Sequence, residues 1–201
     1  VLQQRGLSPQ GRPELLNLTE PELLDSVYKE YIAAGSQVIY ANTFGANGLK
    51  LAKTGHSVEE VVGAAIAVAK RAAAGTGTLV ALDVGPLGEL LEPMGTLSFE
   101  RAYDLFREMA EAGAKAGADL IVVETMTDLY EAKAALLAAK EAAHLPVFVT
   151  MSFDAGGRTF TGCTVASMAR TLEGLGADAI GLNFSLGPDL LAPLLKELCE
   201  N

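Results

Sequence analysis

The residues with the clearest chemical potential are polar side chains that directly follow short apolar runs. They are Asn42, Thr43, Asp83, Glu124, Thr125, Ser152 and Asn183. Carboxylates combined with amides and hydroxyls suit a small polar ligand that carries an amine. A helix-capping or turn-forming role competes with ligand contact, and we favour that role for Thr43, Thr125 and Ser152. For Glu124 we favour ligand contact, because a carboxylate directly after the apolar run 121–123 is costly to bury without a partner.

The histidines and cysteines do not indicate nucleophilic or general-base catalysis. His56 precedes the helix start predicted at Ser57, and His144 precedes an apolar run instead of following one. Since neither histidine is expected among the polar residues above, a Ser-His-Asp site is not predicted. Cys163 and Cys199 are the only cysteines. They are too few for a disulfide framework, which favours a reducing cytoplasm, and a lone cysteine is more often a packing residue than a nucleophile.

One sequence pattern recurs: an Ala-rich amphipathic stretch, a glycine, a short β-rich run and then a polar residue. It predicts strands at 38–40, 79–82, 120–123, 147–149 and 179–182. The glycine supplies the left-handed residue after a helix, and the apolar run enters a strand that is covered on both faces. Helices are predicted at 58–74, 99–116, 131–143 and 190–198. Capping-box spacing predicts helix starts at Thr19 and Ser57.

The strict alternation of strands and helices predicts an α/β fold with a parallel sheet and right-handed crossovers. No Gly-x-Gly-x-x-Gly turn or P-loop follows a strand, whereas every strand ends in a polar residue. This favours a TIM-type (βα)8 barrel, whose sites lie at the carboxyl ends of the strands. We predict a single domain over residues 1–201, an incomplete barrel with about five strands whose first and last strands are missing. Open barrel edges would favour self-association or a partner segment that supplies strands.

The composition argues against two classes of function. Half of the residues are hydrophobic and 20% are charged, which is a globular composition. The formal net charge is -10, and no stripe of lysine and arginine offsets it, so nucleic-acid binding is not expected. No apolar run reaches the roughly 18 residues that a membrane span needs, and the start lacks the organisation of a signal peptide. We therefore expect a cytoplasmic protein.

Several strings resemble homocysteine S-methyltransferase domains, most closely the N-terminal homocysteine-binding domain of cobalamin-dependent methionine synthases. They include Asn-Thr-Phe-Gly-Ala-Asn at 42–47, Gly-Pro-Leu-Gly at 85–88, Glu-Thr-Met-Thr-Asp-Leu at 124–129 and Gly-Leu-Asn at 181–183. Further strings lie at 2–7, 13–19, 30–35, 131–133, 157–159, 161–162 and 185–188. Each string is weak alone, but the set spans nearly the whole chain in order.

The resemblance implies an enzyme that activates homocysteine and methylates its sulfur to give methionine. In this family a zinc ion held by three cysteine thiolates binds the homocysteine sulfur and keeps it deprotonated. In the cobalamin-dependent branch the methyl group comes from methylcobalamin, and originally from methyltetrahydrofolate, on other modules of the parent protein. Glu124 matches the carboxylate that is expected to hold the substrate's amino group. The mouth of the barrel is the opening where the carboxyl ends of the strands meet. Other positions that line this mouth in the family are matched by Asn42, Thr43, Asp83 and Asn183.

The chain departs from the family at the zinc ligands. The first zinc cysteine should follow Asn183, but position 184 is phenylalanine. The family's Gly-Gly-Cys-Cys string and its Asp-Gly-x-x-Gly-Thr string are both absent from the 201 residues. We expect that the chain as written neither holds zinc nor catalyses methyl transfer alone. Two alternatives stay open: a methyltransferase that uses S-methylmethionine or another donor directly, and a non-catalytic ligand-binding relative that has lost its metal.

Overall fold

Five parallel strands form one sheet and lie side by side in chain order. They are β1 (Val38–Tyr40), β2 (Leu79–Val84), β3 (Leu120–Met126), β4 (Val147–Met151) and β5 (Ala179–Leu182). The computed structural model describes residues 1–6 and 11–201, so Leu7, which ends the first family-like string, lies outside the described residues. The prediction of an α/β fold with five parallel strands is confirmed.

A helix follows each strand, as the sequence pattern predicts. The helices are α1 (Leu16–Thr19), α2 (Pro21–Ala33), α3 (Gly48–Leu51), α4 (Val58–Ala73), α5 (Phe99–Ala116), α6 (Leu129–Ala143), α7 (Val165–Gly174) and α8 (Pro188–Glu200), with 3-10 turns at Gln3–Arg5 and Pro13–Leu15. The hydroxyl of Ser57 accepts a hydrogen bond from the Glu60 amide at 3.1 Å, which confirms that helix start. The start predicted at Thr19 is wrong. Thr19 instead ends α1, and α2 begins at Pro21, whose fixed φ suits a first helical position.

Three strands extend further than the apolar runs suggested, and one of them is β4, which continues to Met151. β2 continues to Val84, so Asp83 lies within the strand instead of after it. β3 continues to Met126 and carries a bulge: Val123 pairs with Val149, but the next pair is Met126 with Met151. Two residues of β3, Glu124 and Thr125, therefore stand opposite a single residue of β4. Thr125 takes up the distortion with a φ of 60°.

The two faces of the sheet differ in what covers them. The helices cover one face, where strand residues such as Leu82, Ile121 and Val149 join the main hydrophobic core. The other face holds only a small cluster of Ala81, Leu120 and Val122, with Val38 packed against it. Strand register places exposed apolar side chains on this open face as well, namely Tyr40, Leu79 and Phe148.

The open face corresponds to the interior of a barrel that these strands do not close. Within the described ranges, β1 and β5 each have a hydrogen-bonded neighbour on one side only. The arrangement agrees with the predicted incomplete barrel, in which the inward-facing side chains of every strand would share one interior. Self-association through these edges stays a prediction.

At the amino ends of β3 and β5, an aspartate pairs with a lysine and a backbone amide. Asp119, directly before β3, accepts hydrogen bonds from Lys70 Nζ at 2.6 Å and from the Val80 amide at 2.7 Å. Burial acts to raise the pKa of Asp119, but these partners outweigh it and the pKa is lowered. Asp178, directly before β5, likewise accepts from the first amide of β4 at 2.8 Å and from a lysine of α6 at 3.0 Å, and the same two partners lower its pKa. These carboxylates join neighbouring elements at the amino ends of the strands.

Candidate functional site

The carboxyl ends of β2 and β3 place two acidic side chains next to each other on the open face. Asp83 pairs in register with Val122, and Glu124 lies two residues beyond Val122, so both side chains share a face on adjacent strands. Tyr40 of β1 pairs with Ala81, two residues before Asp83, and points the same way. Burial raises the pKa of Tyr40, and the charges of Glu124 and Asp83 add to the effect. The three side chains therefore form a row across three strands.

Asp83 is buried, and one of its carboxylate oxygens lacks a hydrogen-bond partner in the described residues. Its side chain is 7% exposed, and its Oδ1 atom makes no hydrogen bond within the described part of the chain. Burial, followed by the nearby charges of Glu124 and Glu14, raises the pKa of Asp83 to about 8. Burying an ionised carboxylate without a hydrogen-bond donor costs free energy, so a proton or a bound cation would stabilise Asp83.

Glu124 stands on the bulge of β3, and neighbouring strands hold that bulge in place. The Thr125 amide donates a hydrogen bond to Thr150 Oγ1 of β4 at 3.3 Å. Asn183, directly after β5, donates from Nδ2 to Thr125 Oγ1 at 2.8 Å. Glu124 itself is half-buried, and burial raises its pKa. A strained residue that is held by two side chains from other strands is typical of a functional site.

Asn42 and Thr43 use their side chains mainly to join elements. Asn42 donates from Nδ2 to the Pro13 carbonyl at 2.6 Å and to Asn17 Oδ1 at 3.2 Å. Thr43 is fully buried, and its hydroxyl donates to the Asp83 carbonyl at 2.7 Å and accepts from the Asp83 amide at 3.0 Å. Thr43 therefore fixes the backbone that presents Asp83. Substrate contact by either side chain stays a prediction.

One side-chain atom of Asn183 is unpaired within the described residues. Its Oδ1 atom is buried and has no hydrogen-bond partner among residues 1–6 and 11–201. Its carbonyl accepts from Ser152 Oγ at 3.0 Å, which joins the ends of β4 and β5. The side chain of Asn183 also reaches Thr125 of β3, the strand next to the one that carries Asp83. Substrate contact by Asn183 also stays a prediction.

The structure adds Tyr40 and Glu14 to the residues that shape the site. Glu14 Oε1 accepts a hydrogen bond from the Gly45 amide at 2.8 Å, and the charge of Glu14 acts on Asp83. Strand alternation could have indicated Tyr40, which lies two residues before Asn42. Nothing local in the sequence indicates Glu14, because its contact spans 31 residues.

A cavity of about 400 Å³ lies between α2 and β1 and reaches Asp83. Apolar residues line most of it, together with Tyr28, Tyr40, Asn42 and Asp83. The Tyr28 hydroxyl accepts a hydrogen bond from the Asn42 amide at 2.9 Å, and burial raises the pKa of Tyr28 to about 12. The cavity is large enough for a small molecule, and Asp83 lies at its polar side.

The residues present do not fit a zinc site made of three thiolates. Within the described ranges no group of three or more histidine, cysteine or acidic side chains could hold a metal. Phe184 occupies the position after Asn183, is 84% exposed and has a φ of 75°. Cys163 lies in the segment after β4, where its thiol donates to the Thr164 carbonyl at 3.2 Å, and Cys199 is exposed on α8. The histidines lie elsewhere: one pairs with Glu60 and the other ends α6.

The sequence model of the homocysteine S-methyltransferase family matches residues 2–201. The chain belongs to this family. It is similar to the methionine synthase of Mycobacterium tuberculosis (strain ATCC 25618 / H37Rv), with 32% identity over 209 residues that cover 98% of the chain and 17% of that protein. The methionine synthase of Mycobacterium leprae (strain TN) is 31% identical over the same length and coverage. The chain therefore spans 17% of the length of these curated relatives.

Solved structures of a homocysteine methyltransferase show the same fold. The metallated form of MmuM from Escherichia coli superposes with a TM-score of 0.85 at 23% identity, over 98% of the chain and 75% of that protein. The apo form gives a TM-score of 0.78 over 98% and 73%, respectively. The chain is thus an incomplete α/β barrel of the TIM type, as predicted. Within its described part, no helix is long and apolar enough to span a membrane.

Proposed function

We propose that this chain is the homocysteine-binding part of a methionine synthase-type methyltransferase of the cytoplasm. The observation that carries the proposal is the acidic pair at the mouth, Asp83 and Glu124, which has no cationic partner among the contacts described. An amino-acid ligand brings an ammonium group with three donors. The similarity to two methionine synthases over 98% of the chain supports this choice of ligand.

In this proposal Glu124 is the main anchor of the substrate's ammonium group. The bulge of β3 aims Glu124 at the mouth, and Thr150 and Asn183 fix the bulge through Thr125. Asp83 lies on the adjacent strand and offers a buried oxygen that still lacks a donor. A fixed ammonium group holds the rest of the amino acid in one orientation, which is what positions its sulfur for transfer.

The methyl group itself would reach the sulfur from elsewhere. We propose that methylcobalamin and methyltetrahydrofolate, bound by other modules of a longer parent protein, supply it. The three thiolates that would hold zinc in this family are not among these residues, so the chain is proposed to bind homocysteine but not to methylate it alone.

Phe184 favours one alternative, a non-catalytic relative that binds a ligand without a metal. Its exposed aromatic side chain stands where the resemblance places a cysteine. In that case the parent protein carries phenylalanine here and also lacks the Gly-Gly-Cys-Cys string. A parent protein that contains the string excludes the alternative.

A binding experiment with a matched ligand pair tests the proposal. L-homocysteine should perturb the NMR resonances of residues at the mouth, whereas 4-mercaptobutanoate, which lacks the amino group, should not. Glu124→Gln should weaken homocysteine binding about 10- to 100-fold, since it removes a charged hydrogen-bond acceptor. Glu173→Gln, an exposed position on α7, is the control and should bind as the wild type does. Equal binding of both ligands, or of the wild type and Glu124→Gln, would contradict the proposal.

A further inference from the structure

Acidic and neutral side chains surround Asp83. Glu124 faces it from β3, Tyr40 lies beside it on β1, and Glu14 approaches from the Pro13–Leu15 turn. Tyr28 of α2 lines the same cavity, with its hydroxyl engaged by the Asn42 amide. All of these groups are either acidic or neutral at physiological pH.

No cation in the described chain compensates these charges at Asp83. Lys50 lies close enough to Glu14 for the Glu14 charge to act on the Lys50 pKa, and its ammonium group donates to the Pro86 carbonyl at 2.8 Å. Arg12 is also nearby in this network and donates from Nη1 to the Lys50 carbonyl at 2.5 Å. No basic group is among the influences on Asp83. The backbone groups of Asp83 are satisfied by Thr43, but its buried Oδ1 is not.

A proton on Asp83 would remove both energetic penalties at once. It would eliminate the repulsion between adjacent carboxylates, and it would leave a neutral group in a place where a charged one is poorly solvated. Paired carboxyl groups in a shared site characteristically ionise one at a time for this reason.

We propose that ligand binding at this mouth is coupled to the loss of one proton from Asp83. In the empty site Asp83 is a neutral acid beside an ionised Glu124. When an ammonium group binds, the O–H bond of Asp83 breaks, the proton goes to solvent, and the ligand's positive charge takes its place. No electrons are transferred, and the total charge of site plus ligand falls by the one proton released. The inference rests on the proposed function only for the identity of homocysteine as the ligand.

The direction of titration agrees with this geometry. Burial is the largest influence on Asp83, Glu124 the second and Glu14 the third, and together they raise its pKa to about 8. Burial also raises the pKa of Glu124.

A titration of the empty protein tests the proton on Asp83. Carboxyl ¹³C NMR of the wild-type chain should show one aspartate that titrates close to pH 8, the value to which its surroundings raise it. Asp83→Asn should remove this resonance, and Glu124→Gln should move its midpoint to lower pH, because a neighbouring charge is gone. Circular dichroism confirms that each variant is folded. If every aspartate is ionised by about pH 6, the inference is overturned.

A second titration tests the coupling and separates it from the proposed function. Methylammonium and L-homocysteine should each lower the midpoint of Asp83, whereas tetramethylammonium, which has no N–H donor, and 4-mercaptobutanoate should not. If methylammonium lowers the midpoint but homocysteine does not bind, the coupling stands and the proposed function fails. If homocysteine binds without moving the midpoint, the coupling fails and the proposed function stands. If neither ammonium ligand moves it, the coupling is overturned.

Discussion

Asp119 and Asp83 carry the same side chain at opposite ends of one sheet, and their surroundings shift their pKa values in opposite directions. At the amino ends, Asp119 meets Lys70 and a backbone amide, and its pKa is lowered. At the carboxyl ends, Asp83 meets burial and further negative charge, and its pKa is raised. The first arrangement stabilises the ionised carboxylate, and the second destabilises it.

The difference separates paired carboxylates, which join neighbouring elements, from an unpaired carboxylate, which we propose binds a ligand. A paired carboxylate contributes to folding, as Asp119 and Asp178 do between adjacent elements. An unpaired one reduces stability and is retained where binding or catalysis requires it. In TIM-type barrels these two roles fall at the two ends of the strands.

The largest expected effect is on folding stability, and it should have opposite signs at the two ends. Asp119→Asn should lower the free energy of unfolding by about 1–3 kcal/mol at neutral pH, because it removes the charged acceptor of Lys70 and Val80. Asp83→Asn should raise the free energy of unfolding by a similar ~1–3 kcal/mol above pH 8, because it removes a buried charge. Urea unfolding followed by circular dichroism measures both. The comparison fails if the two variants shift stability in the same direction.

The stability contributions of Asp119 and Asp83 should depend on pH in opposite ways. The lowered pKa of Asp119 means that its stabilising contribution is present above the unfolded value of about 3.9 and is lost as the pH falls through the folded value. The raised pKa of Asp83 means that its contribution is fully present below the unfolded value and is lost as the pH rises through about 8. The difference between Asp119→Asn and wild type should therefore vanish in acid, whereas the difference for Asp83→Asn should grow as the pH rises from about 3.9 to about 8 and should be constant above that.

A second, smaller effect concerns self-association. Within the described residues β1 and β5 each lack a neighbour on one side, and the open face exposes apolar side chains; both features favour self-association. Sedimentation velocity should show a boundary that depends on concentration. Phe148→Lys, on the open face, should reduce the association, whereas Phe160→Lys, at an exposed position outside the strands, should not. A sharp monomeric boundary for the wild type would contradict this prediction.

The smallest expected effect is that of restoring one thiol. Phe184→Cys should not retain zinc after dialysis, because one thiolate is too few for a structural or catalytic site and the described residues offer no other ligand cluster. Atomic absorption of the dialysed protein measures the metal content, with the wild type as control. Retention of one zinc ion per chain would show that the mouth holds ligands beyond those identified.

Local patterns in the sequence predict most of the fold but less of the site. A glycine precedes four of the five strands, and each strand begins with an apolar run; these are local signals, so β1, β5 and α5 have the predicted bounds. The bulge at Thr125 has no such signal, since only the pairing of β3 with β4 reveals it. The surroundings of Asp83 depend on Glu14 and Tyr40, which lie on other elements. The sequence therefore identifies the acidic residues of the site, but their pKa shifts depend on contacts between elements that only the folded structure shows.

The extra residue in β3 also suggests how such a mouth could be redesigned. Met126 returns to register with Met151 after the bulge, and both side chains are buried, so core contacts resume directly beyond it. The hydrogen bonds that hold the bulge use Thr125 and not the side chain of Glu124. Exchanging the side chain at position 124 alone therefore offers a route to new ligand charge preferences without rebuilding the scaffold.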